Sequence, residues 1–447
     1  MQTTTRRAAL LGLTGLLAGC DTLDSIFSTR KDKLPGERRS ILAAEKGVDV
    51  DPAISARAVD LPPAAPVTQW PQIGGNLAHA AGNVALPAGT LRPAWTASVG
   101  TGSAYRRRLT TGPICSADTV FASDAYGVLG AWDLGTGRRR WSFDTKPEKD
   151  DVGALGVGAA LDGDTLYIAS GMAEILAVEV ATGKLRWRAA APAPMRGAPT
   201  VSDGRIFVIT LDNNVVGFSA EDGRKLWNFQ GQSVSAVPYG LAAPAVSGDN
   251  VVAGLPTGEV VCLRPDDGRT VWTEALAPSR NALRSGIADL SGVHALPVVA
   301  GEQVIVVGEN GTTMSVDLRS GRRLWEREVG GSVTPAVAGD WIFVLSTDQE
   351  LVAMTRTTGQ IRWITPLNAP PPPGQKPREP ARFAAPMLLG SQILVPGSGG
   401  EALVVDPSDG AVTRRIPLGG SVTLPGAVAG ATLVLLSDEG SLIALRG

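Results

Sequence analysis

Residues 177–187 read AVEVATGKLRW, and closely similar stretches recur along most of the chain. Each full copy places a glycine four residues before a tryptophan. Full copies begin at positions 131, 177, 217, 262, 315 and 353. Self-similarity of this kind is the signature of a repeat architecture. The repeat therefore decides the fold, and the first question is whether it also carries chemistry.

Residues 163–190 show one unit of the repeat in full. TLYIAS and ILAVEV are β-rich apolar runs joined by the turn GMAE, and a tight turn, ATGK, follows in which Gly183 can adopt a positive φ. LRWRAA alternates apolar and polar residues, as a half-buried strand does. The next unit opens with another short strand, GAPTV. Each unit thus predicts four strands, and the spacing of 38 to 53 residues between motif glycines predicts a β-propeller.

The number of blades follows from an imbalance between the strands. The third strand of the unit occurs eight times, whereas the glycine turn with its fourth strand occurs only seven times. LRPAWTASVG, residues 91–100, has the pattern of the missing fourth strand and precedes the first unit. We therefore predict an all-β, eight-bladed propeller that residues 91–100 close by pairing beside the C-terminal strand.

The motif tryptophans have a structural and a functional interpretation. They could form a ligand platform, but eight equivalent platforms are less plausible than eight packing units. We expect them to pack each blade against its neighbour, since burial of an indole is a large source of cohesion. One copy is exceptional, because Arg414 stands where the others carry tryptophan. The predicted blade-packing residues are Trp95, Trp141, Trp187, Trp227, Trp272, Trp325 and Trp363.

The N-terminal region reads as a targeting segment followed by a tether. An apolar stretch ends in LAGC, and this resembles the lipobox of bacterial lipoproteins, which implies lipidation of Cys20. The alternative is an ordinary signal peptide that contains a cysteine. We predict a signal peptide over 1–19, a lipidated cysteine and flexible tether over 20–66, and the propeller over 67–447.

Composition excludes several classes of function. A net charge of −2 argues against a nucleic-acid-binding protein, which normally shows a basic excess. Two histidines and three cysteines are too few and too scattered for a zinc site. We expect Cys115 and Cys262 to be small buried hydrophobic residues in different blades. No phosphate-binding loop or convincing catalytic triad is present, and we predict no catalytic residue and no metal site.

The repeat pattern, for example AWDLGTGRRRW at 131–141, resembles that of quinoprotein dehydrogenases over nearly all of residues 90–447. That resemblance implies an eight-bladed propeller, and in those enzymes it accompanies pyrroloquinoline quinone and calcium. The chain lacks their vicinal cysteine pair and their long insertions, and it shows no local cluster of acidic and amide residues for calcium. A quinone- or ligand-binding propeller therefore stays as the alternative function.

The lipobox, tether and complete propeller together resemble the BamB family of lipoproteins. The resemblance implies a periplasmic, non-catalytic scaffold without a cofactor, which binds the POTRA domains of BamA in the β-barrel assembly machinery. It also implies an outer-membrane location. Asp21 is the contrary signal, because aspartate after a lipidated cysteine retains lipoproteins in the inner membrane of some bacteria, and membrane fractionation distinguishes the two locations.

Two segments resemble the partner-binding segments of that family, namely 237–246 and 286–299. Gly292 and His294 stand where the best-known pattern has two aspartates, and Tyr239 stands where it has arginine before Gly240. The family's salt bridges could thus be absent or replaced. Arg284 and Asp289 could supply charge, and Tyr239 with Leu241 an apolar anchor, although all of these could also be ordinary loop residues.

Overall fold

The computed structural model describes residues 48–105, 107–147, 156–233, 240–276, 292–309, 311–368 and 379–447. The chain divides into two units, Met1–Gly47 and Val48–Gly447. The second unit contains eight antiparallel sheets of four strands each. Inner strands of neighbouring sheets contact one another, and the inner strand of the last sheet contacts that of the first, so the sheets form a ring. The predicted eight-bladed β-propeller is confirmed.

The strands of blades 1 to 4 follow the chain from the inside of each blade to its outside. Blade 1 contains β2 (Ile114–Cys115), β3 (Thr119–Ser123), β4 (Val128–Asp133) and β5 (Arg139–Asp144). Blade 2 contains β6 (Val157–Asp162), β7 (Thr165–Ser170), β8 (Glu174–Glu179) and β9 (Leu185–Ala190). Blade 3 contains β10 (Thr200–Ser202), β11 (Arg205–Ile209), β12 (Asn214–Ser219) and β13 (Lys225–Gln230). Blade 4 contains β14 (Ala245–Ser247), β15 (Asn250–Gly254), β16 (Glu259–Leu263) and β17 (Thr270–Ala275).

Blades 5 to 7 repeat this order, and blade 8 combines both ends of the propeller. Blade 5 contains β18 (Val298–Ala300), β19 (Gln303–Val307), β20 (Thr313–Asp317) and β21 (Arg323–Arg327). Blade 6 contains β22 (Ala336–Ala338), β23 (Trp341–Leu345), β24 (Glu350–Thr355) and β25 (Ile361–Pro366). Blade 7 contains β26 (Met387–Leu389), β27 (Gln392–Pro396), β28 (Glu401–Val405) and β29 (Val412–Pro417). Blade 8 contains β30 (Ala427–Ala429), β31 (Thr432–Leu436), β32 (Ser441–Arg446) and β1 (Arg92–Ser98). Short 3-10 helices cover Pro52–Ile54 and Ala88–Thr90.

Closure of the ring occurs as the sequence predicts. β1 pairs antiparallel with β32, with Trp95 opposite Ala444 and Ser98 opposite Ser441. The outermost strand of blade 8 therefore comes from the front of the propeller and the other three come from its end. Because the two ends share one sheet, blade 8 has four strands like the other blades, and β32 is covered by β1 on its outer side.

The repeated glycine and tryptophan meet across blade boundaries. Each motif glycine has a positive φ, for example 74° at Gly321, which L-residues rarely adopt. A Cβ built on Gly321 would lie only 2.6 Å from atoms of Trp272 in the preceding blade. The indole N–H groups of six motif tryptophans donate to carbonyl oxygens of the next blade. These six are Trp95, Trp141, Trp227, Trp272, Trp325 and Trp363. The motif thus links neighbouring blades in two ways: its glycine leaves room for the tryptophan of the preceding blade, and that tryptophan donates a hydrogen bond to the next blade.

Arg414 makes the equivalent contact at the one boundary without a motif tryptophan. Its guanidinium donates to the carbonyl oxygen of Gly89, just before β1. At this boundary the next blade has no continuous turn between its third and fourth strands, because β32 and β1 come from opposite ends of the propeller. A long side chain with several donors can reach a carbonyl at such a seam.

We expect Gly321→Ala to lower the free energy of unfolding by about 3 kcal/mol or more. The alanine would suffer the left-handed backbone penalty of about 1–2 kcal/mol and would also displace Trp272. Gly301→Ala is the matched control, since Gly301 lies in the same blade with a φ of 64° and has no neighbour within 4 Å of a built Cβ. Urea unfolding of both variants measures the difference. Equal losses would contradict a packing role for the motif glycine.

A segment that precedes β1 occupies the centre of the ring, and we call residues 67–84 the axial segment. Its hydrogen bonds reach the inner strands, or the residues directly after them, of seven blades: 8, 1, 2, 3, 4, 5 and 7. Trp70, for example, exchanges two backbone hydrogen bonds with Cys115 on β2. Ala80 packs against the hydrophobic cluster that includes Val337 of blade 6. The segment therefore bonds to seven blades and packs against the hydrophobic cluster shared by blades 5 and 6.

Residues 48–66, which are predicted to be part of the tether, belong to the same compact unit as the propeller. Asp51 exchanges hydrogen bonds with the backbone of Ile361 in blade 6. Arg57 forms an ion pair with Asp340 at 2.8 Å and lies over the ring of Trp341. These contacts hold the chain against blade 6 before it enters the axial segment. The sequence of residues 48–66 is rich in alanine and proline and has no strand periodicity, so this packing could not be predicted from it.

Candidate functional site

The described residues surround a large cavity on the axis, which we call the channel mouth. Its volume is about 850 Å³. The connections that lead into the inner strands and the turns between second and third strands supply most of its lining. Ile73 of the axial segment also lines it. The axial segment bonds mainly to residues within or directly after the inner strands, whereas the connections that precede these strands line the cavity.

Both predicted partner-binding segments reach the channel mouth. Gly240 and Leu241 lie just before β14, and Gly292 and His294 lie just before β18, so the two segments enter adjacent blades. All four residues line the cavity. The structure thus brings together two stretches that are about 50 residues apart in the sequence. Tyr239, Arg284, Asp289 and Cys20 lie outside the described residues.

Gly240 and Leu241 differ in what they expose. A Cβ built on Gly240 meets only the carbonyl oxygen of Thr110, at 3.9 Å, so the backbone here borders open space. Leu241 is only 7% exposed and packs in the hydrophobic cluster shared by blades 3 and 4. Gly240 therefore offers accessible backbone, whereas the side chain of Leu241 mainly holds the segment in place.

Gly292 and His294 form a compact unit with Glu309. The Nδ1 atom of His294 lies 3.3 Å from a carboxylate oxygen of Glu309. Burial lowers the pKa of His294, and the Glu309 carboxylate opposes that shift. A Cβ on Gly292 would lie 2.7 Å from Nε2 of His294 and 2.9 Å from the carbonyl oxygen of Pro256. Glycine is thus needed at 292 for the imidazole to occupy its position.

A second histidine is buried below the channel mouth. His79 belongs to the axial segment, is 3% exposed, and places Nδ1 2.9 Å from the carbonyl oxygen of Pro297. Its Nε2 has no hydrogen-bond partner, and a small cavity of about 60 Å³ adjoins it. Burial lowers the pKa of His79 to about 4. The imidazole is therefore neutral at pH 7 and fixes the axial segment to blade 5.

The donor set of the channel mouth does not fit the calcium and quinone of the quinoprotein dehydrogenases. Its carboxylates belong to Glu309 and Asp438. Glu309 faces His294, and Asp438 accepts hydrogen bonds from Ser421 and Thr423. Calcium requires six to eight oxygen ligands. Within the part of the chain that the structure describes, no three histidine, cysteine, aspartate or glutamate side chains are grouped to hold a metal ion.

The described cysteines are also unlike catalytic thiols. Cys115 lies on β2 and Cys262 on β16, and both are buried and free. Burial raises the pKa of Cys115 well above its usual range and that of Cys262 to about 12. Both thiols therefore remain protonated at neutral pH and act as small apolar side chains.

One part of the channel mouth has no counterpart among the predicted site residues. The connection between β1 and β2 contributes Ser103, Ala104, Arg108, Leu109 and Thr110 to the lining. Its sequence contains a tyrosine followed by three arginines, and these residues lie outside the glycine–tryptophan repeat from which the fold is predicted. No described helix is long and apolar enough to cross a membrane.

Solved structures share the fold. A BamB structure from Moraxella catarrhalis matches with a TM-score of 0.66 at 19% identity, covering 80% of this chain and 100% of that one. A quinohemoprotein alcohol dehydrogenase from Comamonas testosteroni also gives 0.66, at 13% identity over 86% of this chain and 81% of that one. At these identities the similarity establishes the propeller fold and does not separate the two functions.

The sequence comparisons identify the family. An outer membrane protein assembly factor BamB from Bordetella pertussis is 26% identical over 80% of this chain and 88% of the relative. The protein of that name from Burkholderia pseudomallei is 28% identical over 79% of this chain and 87% of the relative. The family model described as outer membrane protein assembly factor BamB matches residues 125–365, more than half of the chain. The chain belongs to the BamB family.

Proposed function

We propose that this chain is a non-catalytic scaffold of the outer-membrane β-barrel assembly machinery, and that it binds the POTRA domains of BamA at the channel mouth. The observation that carries the proposal is the convergence of the two family-like segments on one cavity. Gly240 and Leu241 from one segment, and Gly292 and His294 from the other, line it together. A face built from several connections on a rigid ring suits protein recognition.

The chemistry of this surface differs from an interface dominated by salt bridges. His294 and Gly292 replace the acidic pair of the best-known family pattern, and His294 is paired internally with Glu309. We infer that the channel mouth contributes accessible backbone at Gly240 together with polar contacts. Tyr239, Arg284 and Asp289, which lie beside these positions in the sequence, complete the proposed surface. Truncation of such anchor residues typically weakens binding more than loss of rim contacts.

The proposed location follows from the N-terminal sequence and the family. Lipidation of Cys20 would anchor the protein to a membrane surface, because an acyl chain inserts into the bilayer and the protein body remains outside it. We propose the periplasmic face of the outer membrane, in agreement with the assembly role named for its relatives. The other subunits of the machinery are the expected neighbours of the protein there.

Capture of BamA tests the proposal. Tyr239→Ala combined with Asp289→Ala is expected to reduce the recovery of BamA in a pull-down at least about tenfold, the loss typical of removing an interface anchor. The matched control is Leu185→Ala combined with Glu221→Ala, which removes one apolar and one acidic side chain that are exposed on the blades. Undiminished capture would contradict the assignment of this surface, and stoichiometric uptake of pyrroloquinoline quinone with Ca²⁺ would contradict the non-catalytic role.

A further inference from the structure

The connection between β1 and β2 carries an exposed aromatic ring, Tyr105, next to residues that line the channel mouth. We call its described residues, 103–105 and 107–110, the Tyr105 loop. We propose that this loop binds an acidic segment of the protein partner, with Tyr105 as the apolar anchor and Arg107 as the charged one. The inference rests on the proposed function, because it assigns a second contact for the same partner.

Tyr105 is exposed far beyond the other large apolar side chains that the structure describes. It is 89% exposed, whereas the next, Leu185, is 44% exposed. A single exposed apolar residue is ordinary on a protein surface and needs no explanation by itself. Tyrosine, however, is among the residues that contribute most to binding energy when an interface buries them. Whether Tyr105 can anchor a partner therefore depends on the residues around it.

Hydrogen bonds join the described parts of the loop to one another and to blade 8. Ala104 and Arg107 are joined by backbone hydrogen bonds in both directions, which places Tyr105 in a tight turn. At the base of the loop, the N–H of Ser103 donates to the carbonyl oxygen of Asp438, and the Ser103 hydroxyl accepts from the N–H of Leu109. A loop that is ordered before binding loses less conformational entropy in the complex.

Arg107 is oriented by an aromatic ring and not by an acid. Its guanidinium carbon lies 4.1 Å from the centre of the Tyr126 ring, and one of its nitrogens donates to the Tyr126 hydroxyl. Among the described residues, no carboxylate lies within ion-pair distance of Arg107. A guanidinium has five N–H donors and keeps its charge at all physiological pH values. Arg107 therefore retains donors for a carboxylate of a partner.

The stretch of chain that carries the loop is positively charged, whereas Asp438 and Glu439 of blade 8 lie against Gly102, directly before the loop. No aspartate or glutamate occurs in the sequence between Asp60 and Asp118, and three arginines, 106 to 108, stand together within that stretch. The net charge of the chain is −2. Positively charged side chains in such a stretch attract an acidic surface and raise the rate of productive encounters.

The position of the loop favours a protein segment over an anionic bilayer. Ala104 and Arg108 line the same cavity as Gly240 and His294, so the loop continues the proposed partner surface. Glu309 and Asp438 line that cavity as well. Their carboxylates would repel a continuous sheet of anionic headgroups, whereas a folded segment can direct its acidic side chains to the arginine side alone.

The test measures the affinity of the full-length protein for the purified POTRA domains of BamA. Tyr105→Ala is expected to weaken binding about tenfold, and Arg107→Glu by more, since the substitution introduces repulsion. The loss of affinity with rising salt should be smaller for Arg107→Glu than for the wild type. Leu185→Ala and Arg322→Glu are the matched controls, because they alter exposed residues away from the cavity lining. Both should bind as the wild type does.

The outcomes distinguish this inference from the proposed function. If the wild type fails to bind the POTRA domains, the proposed function fails and this inference fails with it. If the wild type binds and both loop variants bind equally well, only the inference is overturned. A third arm uses vesicles of phosphatidylglycerol and phosphatidylcholine. Loss of vesicle binding in the loop variants without a change in POTRA affinity would overturn the protein assignment in favour of a lipid surface.

Discussion

Replacement of β1, Arg92–Ser98, by a glycine–serine segment of equal length is expected to destabilise the whole propeller. The six residue pairs that join β1 to β32 would be weakened. β1 is also the one strand of blade 8 that comes from the N-terminal side of the propeller. Trp95 would also vanish from the boundary with blade 1, where its indole donates to the carbonyl oxygen of Leu134 at 3.0 Å. Removal of a packed tryptophan alone typically costs roughly 3–5 kcal/mol.

Because β1 closes the ring, the effect should not stay within one blade. Blade 8 packs against blades 1 and 7, so an opened ring leaves two blade faces without firm support. We expect the free energy of unfolding to fall by more than about 3 kcal/mol, which is the lower limit for removal of a packed tryptophan. The unfolding midpoint of the whole protein, measured by circular dichroism, should fall as well.

The control keeps the strand and its tryptophan. Arg92, Thr96 and Ser98 are exposed on β1, and their combined replacement by alanine retains the backbone pairing. Exposed substitutions of this kind usually change stability by less than about 0.5 kcal/mol each. If the glycine–serine protein unfolded at the same midpoint as this control, β1 would not close the ring.

The fold could be predicted from the sequence because its decisive interactions repeat. The glycine at each turn is required by a positive φ, and the tryptophan four residues later packs on the neighbouring blade, so both leave a periodic trace. The imbalance between third and fourth strands then gave the blade count and the closing strand. Arg414 was recognisable as an exception, but its partner was not, because Gly89 lies 325 residues away in the chain.

The axial segment could not be predicted for a physical reason. Its contacts with the blades run mostly through backbone N–H and carbonyl groups, for example those of Trp70, Leu77 and Ala78. Every residue carries such groups, so these bonds impose no periodic choice of side chain. The same limit applies to the channel mouth, where the sequence indicated the segments around Gly240 and Gly292. It did not indicate that the connection before β2 would lie beside them.

Gln72→Leu is expected to reveal how strongly the axial segment supports the ring. The Gln72 side chain is 5% exposed and forms both hydrogen bonds available from the backbone of Val201 on β10. Its Oε1 accepts from the Val201 N–H at 3.0 Å, and its Nε2 donates to the Val201 carbonyl oxygen at 3.3 Å. Leucine fills a similar volume without either group. The buried N–H and carbonyl of Val201 would then have no partner.

An unpaired buried polar group costs about 1–3 kcal/mol, so the two together predict a loss of roughly 2–6 kcal/mol in the free energy of unfolding. Gln69→Leu is the matched control, since Gln69 belongs to the same segment and is exposed. Urea unfolding of both variants isolates the hydrogen bonds from the change in side-chain chemistry. Equal stability of the two would mean that the axial segment rests in the channel without holding blade 3.

The same variant links stability to binding. Gln72 directly precedes Ile73, which lines the channel mouth, so a loosened axial segment should disturb that surface from below. We expect Gln72→Leu to weaken BamA capture even at temperatures where the ring remains folded, while Gln69→Leu leaves capture unchanged. If Gln72→Leu lost stability but bound BamA normally, the axial segment would support the ring alone. The proposed partner surface would then depend only on the connections between blades.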